Sequence, residues 1–165
     1  MSRAVVALSG NPRPRSRTAA LALTVARSVL ELGPAGPVVE IELSNRAAAE
    51  DELRAILTQA EVAVIASPTY KATYTGLLKS FLDALPSGAL RDVLAIPVMV
   101  GGDRAHALAV EVHLRPLLLE LGASCPTRGL FVEEAALVDP AAAIEPWVED
   151  ARPVLAAALD ARVAA

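Results

Sequence analysis

Ala4-Val5-Val6-Ala7-Leu8 runs directly into Ser9-Gly10-Asn11-Pro12-Arg13-Pro14-Arg15-Ser16-Arg17-Thr18, and a helix-length segment follows. That segment, Ser16 to Leu32, carries Leu21, Val25, Val29 and Leu32 on one face, and Gly33-Pro34 ends it. The first run is apolar on both faces, as a strand buried between neighbours is. A buried strand, a polar loop and an amphipathic helix set the pattern that the rest of the chain repeats.

Four more strand-length runs follow: Val38–Leu43, Val62–Ala66, Leu94–Val100 and Gly129–Val132. The runs at 62 and 94 are apolar on both faces and read as central strands. The run at 38 alternates Val39, Ile41 and Leu43 with Val38, Glu40 and Glu42, which suits an edge. Pro97 lacks an N–H, so a bulge is expected there. Helices are predicted over Glu50–Gln59, Gly76–Leu85, about Ala105–Leu121, and Glu145–Val163. The third helix turns Leu77, Leu78, Phe81 and Leu82 inward and pairs Lys79 with Asp83 on its surface. Pro116 cannot donate to the Val112 carbonyl, so a kink or a widened turn is expected in the fourth. Pro146 suits a first turn, and Pro153 implies a bend.

Five strands alternating with helices predict one domain over residues 1–165. Its fold class is α/β, a doubly wound parallel sheet with helices on both faces. Ligands of such sheets bind beyond the carboxyl ends of the strands, so the loops after strands one, three and four are where chemistry belongs.

Bulk properties narrow the class. The chain has 165 residues, 54% of them hydrophobic and only 3% aromatic, with one cysteine. The net charge of −4 gives no basic footprint for nucleic acid, and no apolar run is long enough for a membrane span. The stretch Met1 to Leu8 is too short for a secretory signal and ends in polar turn residues, so a cytoplasmic location is expected. Cys125 cannot form an intrachain disulfide and is expected to be a plain buried thiol.

The first loop has the makings of an anion cradle. Amides at a helix N-terminus carry partial positive charge, Ser9, Ser16 and Thr18 add hydroxyls, and Arg13, Arg15 and Arg17 add cations. It is neither a Walker loop nor a dinucleotide loop, since its only glycine is Gly10 and no Gly-Lys-Ser/Thr closes it. The plainer alternative is a solvated turn with Ser16 capping the helix.

The second loop, Ser67-Pro68-Thr69-Tyr70-Lys71-Ala72-Thr73-Tyr74-Thr75-Gly76, concentrates both tyrosines of the chain. Pro68 stiffens it, Thr69, Tyr70 and Lys71 can offer amides to the edge of a heterocycle, and a tyrosine face can cover a flat ring. A locally packed β-to-α turn is the alternative.

The third, Val100-Gly101-Gly102-Asp103-Arg104-Ala105-His106, pairs two glycines that permit close backbone approach. A flexible turn with Asp103 capping the next helix is the alternative. His106 is as well suited to a helix surface as to a role near a ligand. His113 fits a helix or subunit contact, and Trp147 a surface or interface anchor.

Taken together, three motifs resemble the NAD(P)H-dependent FMN reductase family, in particular the reductase components that feed reduced FMN to sulfonate monooxygenases. They are Gly10-Asn11-Pro12-Arg13 with Ser16 and Thr18; Ser67-Pro68-Thr69-Tyr70-Lys71 with Tyr74 and Gly76; and Gly101-Gly102 with His106 and Leu114-Arg115-Pro116. The resemblance spans roughly Val5 to Val132 and implies a flavodoxin-like five-stranded sheet of order 2-1-3-4-5. It implies that Ser9, Asn11, Arg13, Ser16 and Thr18 hold the FMN phosphate. It implies that Pro68, Thr69, Tyr70 and Lys71 line the isoalloxazine, and that Gly101 and Gly102 approach its pyrimidine edge. NADPH or NADH is then the hydride donor, a monooxygenase a possible recipient, and a homodimer or homotetramer the expected assembly.

This sequence departs from the family in having Asn11 where serine is common. Some members carry a regulatory tyrosine in the fourth helix; here the region reads Glu111-Val112-His113. The implied activity is hydride transfer from NAD(P)H to FMN, for which no catalytic acid–base residue and no metal are expected. The alternatives are an electron carrier that keeps FMN bound, or a quinone or azo reductase. The apolar fourth helix, with Leu108, Val110, Val112, Leu114, Leu117, Leu118, Leu119 and Leu121, predicts burial on more than one side and hence a homo-oligomer.

Overall fold

Strand β1 (Val5–Ser9) is buried along its whole length because it pairs in parallel on both sides, with β2 (Val38–Glu42) and with β3 (Val62–Pro68). Strands β4 (Leu94–Gly101) and β5 (Leu130–Glu133) complete a parallel sheet of order β2-β1-β3-β4-β5, as expected. The computed structural model describes residues 4–33, 36–45 and 49–163. Pro34 and Met1 lie outside the described residues.

Alternation along each strand assigns side chains to the two faces. Val5, Val64, Ile96 and Val98 meet α1 (Arg17–Leu30) and α5 (Pro140–Val163) through Leu21, Val25, Ile144 and Trp147. Val6, Leu8, Ile65 and Met99 meet Leu57 of α2 (Glu50–Thr58), Leu78, Phe81 and Leu82 of α3 (Gly76–Asp83) and Leu118 of α4 (Arg115–Glu120). Leu78, Phe81 and Leu82 are buried, and the fourth expected inward residue of α3, Leu77, is half-buried and packs against the same cluster. The expected Lys79–Asp83 pair forms at 2.5 Å.

Pro97 causes no bulge. Ile65 pairs with Pro97 within an unbroken β3–β4 register. On the other side the Ala95 amide donates to the Ser124 carbonyl at 2.8 Å, and β5 joins only at Val98. Amides two residues apart point the same way, so the position lacking an N–H faces the gap between Ser124 and Leu130.

The fourth helical segment holds the widened turn that Pro116 implied. A 3₁₀ turn at Arg104–His106 leads to a π turn at Val110–Leu114, and only then does α4 begin. The Arg115 amide closes on the Val110 carbonyl, five residues back, immediately before the proline that could not have donated.

Helix α5 corrects two expectations. It starts at Pro140, with the Asp139 carboxylate accepting the Ala142 amide at 3.1 Å, so Pro146 and Pro153 are both interior. Trp147 is no surface anchor: it is 5% exposed, and its Nε1 donates to the Arg128 carbonyl at 3.0 Å.

Candidate functional site

Each of the three loops beyond β1, β3 and β4 is tied to a neighbour. The Gly10 amide donates to the Ala66 carbonyl at 2.8 Å, and Thr75 Oγ1 donates to the Gly10 carbonyl at 2.7 Å. The Thr69 amide donates to the Val100 carbonyl at 2.7 Å. Gly10 is required for this approach: a Cβ there would stand 2.6 Å from Leu78 Cβ. The result is one cleft over the sheet's carboxyl edge, lined by Asn11, Arg13, Pro14, Arg15, Ser16, Arg17, Thr18, Pro68, Tyr70, Val100 and Glu134.

Asn11 organises the first loop. Its amide donates to Ser9 Oγ at 3.3 Å, its Oδ1 accepts the Arg13 amide at 3.0 Å, and its Nδ2 donates to Thr18 Oγ1 at 3.1 Å. Ser16 caps α1, its Oγ accepting the Ala19 amide at 3.1 Å. Among the described residues the amides of Arg17 and Thr18 have no hydrogen-bond partner, so the helix presents two donors at the cleft. Arg13, Arg15 and Arg17 surround them.

The second loop closes on itself. Tyr70 and Thr73 exchange both backbone bonds, at 2.8 and 3.2 Å, around Lys71 and Ala72. With φ of 52° and 68° at those residues, this is a two-residue hairpin turn of the type that normally uses asparagine and glycine. Thr75 caps α3, accepting the Leu78 amide at 3.1 Å.

Of the residues singled out in the sequence, Asn11, Arg13, Ser16, Thr18, Pro68 and Tyr70 share this cleft. Ser9 is 2% exposed and lies beneath it, supporting Asn11. Lys71 is on the hairpin tip and exposed. Gly101 is buried, and a Cβ there would come within 2.7 Å of Phe131 Cζ, so its bareness serves Phe131; Gly102 is exposed with open space around it. Thr69 is not among the residues that line the cleft, and its buried Oγ1 has no hydrogen-bond partner.

His106 is exposed at the end of the 3₁₀ turn, whose first amide, that of Ala105, is capped by Asp103 Oδ1 at 2.6 Å. His113 is exposed on the π turn. Cys125 is half-buried, with its thiol pKa raised by burial.

The Leu114-Arg115-Pro116 motif is structural. The Arg115 guanidinium holds the Glu111 carboxylate at 2.5 Å and donates to the carbonyls of Cys125 and Thr127. That hydrogen bond is the main reason the Glu111 pKa is lowered and the Arg115 pKa raised.

Two residues at the site were not expected. Glu134, just after β5, lines the cleft, and its Oε2 accepts from Arg17 Nη2 at 3.2 Å while its carbonyl accepts from Nη1 at 3.3 Å. Glu42, at the end of β2, accepts the Arg15 amide at 2.7 Å and so holds Arg15 at φ 51°. Both carboxylates reach the loop from distant strand ends, and nothing near them in sequence announces it.

A sequence model of the family described as NADPH-dependent FMN reductase matches residues 4–137. The FMN reductase (NADPH) of Escherichia coli (strain K12) is 37% identical over 147 residues, covering 82% of this chain and 75% of that protein. The NADH-dependent FMN reductase SfnF of Pseudomonas fluorescens (strain Pf0-1) is 34% identical over 148 residues, covering 82% and 79%. The solved apo form of an NADH:FMN oxidoreductase, EMOB, superposes with a TM-score of 0.80 at 30% identity, covering 94% of this chain and 89% of that one.

Proposed function

This chain belongs to the NADPH-dependent FMN reductase family, and on that premise we propose that it is an NAD(P)H:flavin oxidoreductase that takes FMN in the cleft beyond β1, β3 and β4. The observation that carries the placement is the joining, in one cleft, of the α1 N-terminus, three arginines and the Pro68–Tyr70 wall. The site fits a flavin phosphate: two unpaired helix amides, hydroxyls on Ser16 and Thr18, and a surplus of guanidinium groups match a dianion's acceptors. Thr69 Oγ1, next in sequence to the Tyr70 that lines the cleft, is buried and without a hydrogen-bond partner. We read residues 1–165 as one domain built around this site.

When bound, FMN supplies the ring that accepts a hydride equivalent from the pyridine nucleotide. The chain's part is orientation and electrostatics. Asn11 keeps the phosphate loop in register, Ser16 leaves the first amides of α1 pointing outward, and the Tyr70–Thr73 hairpin fixes the ring-side wall. Arg13, exposed on the cleft, would neutralise phosphate charge. The donor is NADPH or NADH, both of which appear in the names of the relatives.

The assembly we propose is a homodimer or homotetramer. Val110, Leu114, Leu118 and Leu121 are buried against the sheet, whereas Leu108, Val112 and Leu119 are 72, 57 and 50% exposed on the same segment. A bare stripe of this kind is usually covered. Delivery of reduced flavin to a separate monooxygenase is the partner role consistent with a cleft open to solvent. Among the described residues no helix is long and apolar enough to cross a membrane; a cytoplasmic location is part of the same proposal.

Anaerobic stopped-flow absorbance tests the reading. Mixing the FMN-loaded protein with NADPH or NADH should bleach the flavin in a single turnover. Failure with both nucleotides would leave an electron carrier as the better description.

A further inference from the structure

The phosphate cradle already contains an anion of its own. Arg17 is one of three arginines on the cleft, and it opens α1 directly beside the two unpaired amides. Its guanidinium is nonetheless turned to Glu134, which takes Nη2 on its carboxylate at 3.2 Å and Nη1 on its backbone carbonyl at 3.3 Å. Glu134 lines the same cleft as Asn11, Arg13, Ser16 and Thr18. Both side chains are open to water, at 62% and 51% exposure, so the pair is easily exchanged.

Glu42 makes a different contact. It accepts a backbone amide, that of Arg15, and does not line the cleft, so its role is to hold the loop.

We propose that Glu134 is a built-in competitor for the flavin phosphate. It occupies Arg17 when the cleft holds no flavin and gives Arg17 up to the phosphate dianion when FMN arrives. A phosphate monoester carries close to two charges and three acceptor oxygens, against one charge and two oxygens on the carboxylate. The exchange therefore runs toward FMN, but with less net gain than a free arginine would provide. Glu134 also leaves a negative charge on the rim, which opposes the bound phosphate. Both effects lower affinity without touching the ring, which suits a flavin that must come and go as a substrate. This inference rests on the cleft being the FMN site, and it adds that Glu134 sets how long the flavin stays.

The test is a set of dissociation constants, by flavin fluorescence quenching, for FMN and for riboflavin, which lacks the phosphate. Glu134→Gln keeps the size of the side chain and sheds the charge. It should tighten FMN about three- to tenfold and leave riboflavin unchanged. In an Arg17→Ala background the gain from Glu134→Gln should shrink, because no guanidinium remains to be released.

Unchanged or weaker FMN binding in Glu134→Gln overturns the proposal. So does an equal shift for riboflavin, or a full gain in the Arg17→Ala background. Wild-type protein that binds FMN no better than riboflavin would instead sink the placement of the phosphate. Glu134 lies in a short exposed 3₁₀ turn, so loss of fold is not expected, and an unchanged melting curve verifies that each variant is comparable.

Discussion

Glu111 Oε1 accepts the backbone N–H of Gly129 at 2.5 Å, which couples the π turn to the residue preceding β5. Its other oxygen holds Arg115, whose guanidinium reaches the carbonyls of Cys125 and Thr127 on the same connection. One ion pair thus fastens the segment between α4 and the edge of the sheet. A Cβ on Gly129 would stand 2.6 Å from Val110 Cγ2, so the Val110 side chain packs directly on the Gly129 backbone.

That clamp gives the protein an acid-side dependence. The Glu111 pKa is lowered, first by its hydrogen bond with Arg115. Its contribution to stability is complete above the ordinary carboxylate pKa and is lost as pH falls through the depressed folded value. Glu111→Gln should cost about 1–2 kcal/mol near neutral pH, and the deficit should shrink on acidification as the wild-type contribution is lost. Urea denaturation at several pH values measures this; a deficit that stays constant down to strongly acidic pH would remove the ion pair from the account.

Arg13→Ala should weaken FMN binding by about 1–2 kcal/mol, the lower part of the range for hydrogen bonds to charged groups, because the side chain is exposed. Riboflavin should bind the variant as it binds the wild type. Equal losses for both ligands would mean that Arg13 contacts the ring or supports the loop.

The glycines of the loops beyond β1 and β4 divide by their surroundings. Gly10→Ala should destabilise the protein by about 1–3 kcal/mol, since the new carbon would meet Leu78 Cβ, which cannot swing away. Gly102→Ala meets nothing within 4 Å and should change stability by less than about 0.5 kcal/mol. Thermal melts of the two variants provide the comparison, and similar losses would contradict the packing reading.

Leu119→Glu should break self-association and leave the monomer folded, because Leu119 is 50% exposed. Leu114→Glu is the wrong probe, although the sequence makes it look attractive: Leu114 is fully buried and its replacement would unfold the segment. Light scattering of wild type and Leu119→Glu at micromolar concentration decides the matter, and a wild-type monomer would refute the interface.

These outcomes trace back to different kinds of sequence signal. The strand positions and the Pro116 turn were legible because apolar patterning and a missing N–H act within a few residues of their cause. Pro97 misled for a tertiary reason: its missing donor faces a gap that exists only because β5 starts at Leu130. Pro146 misled because the helix begins six residues earlier, at an Asp139-Pro140 start that is itself a readable helix signal. In the cleft, Asn11, Arg13, Ser16, Thr18, Pro68 and Tyr70 were recoverable from their position after β1 and β3, whereas Ser9, Thr69 and Lys71 do not line it. Glu134 was not recoverable, since it meets Arg17 across 117 residues of chain and only the sheet brings them together.

The two walls of the cleft keep different time. One wall includes a closed hairpin held by both Tyr70–Thr73 backbone bonds, and hairpins form on a scale of about 1–10 μs. The opposite wall is an exposed Arg17–Glu134 pair, and exposed side chains reorient within picoseconds to nanoseconds. An arriving flavin therefore meets one surface already set and another that rearranges faster than the encounter lasts. The expected consequence is an association rate free of any gating step, with turnover of the ligand governed by how quickly its contacts let go.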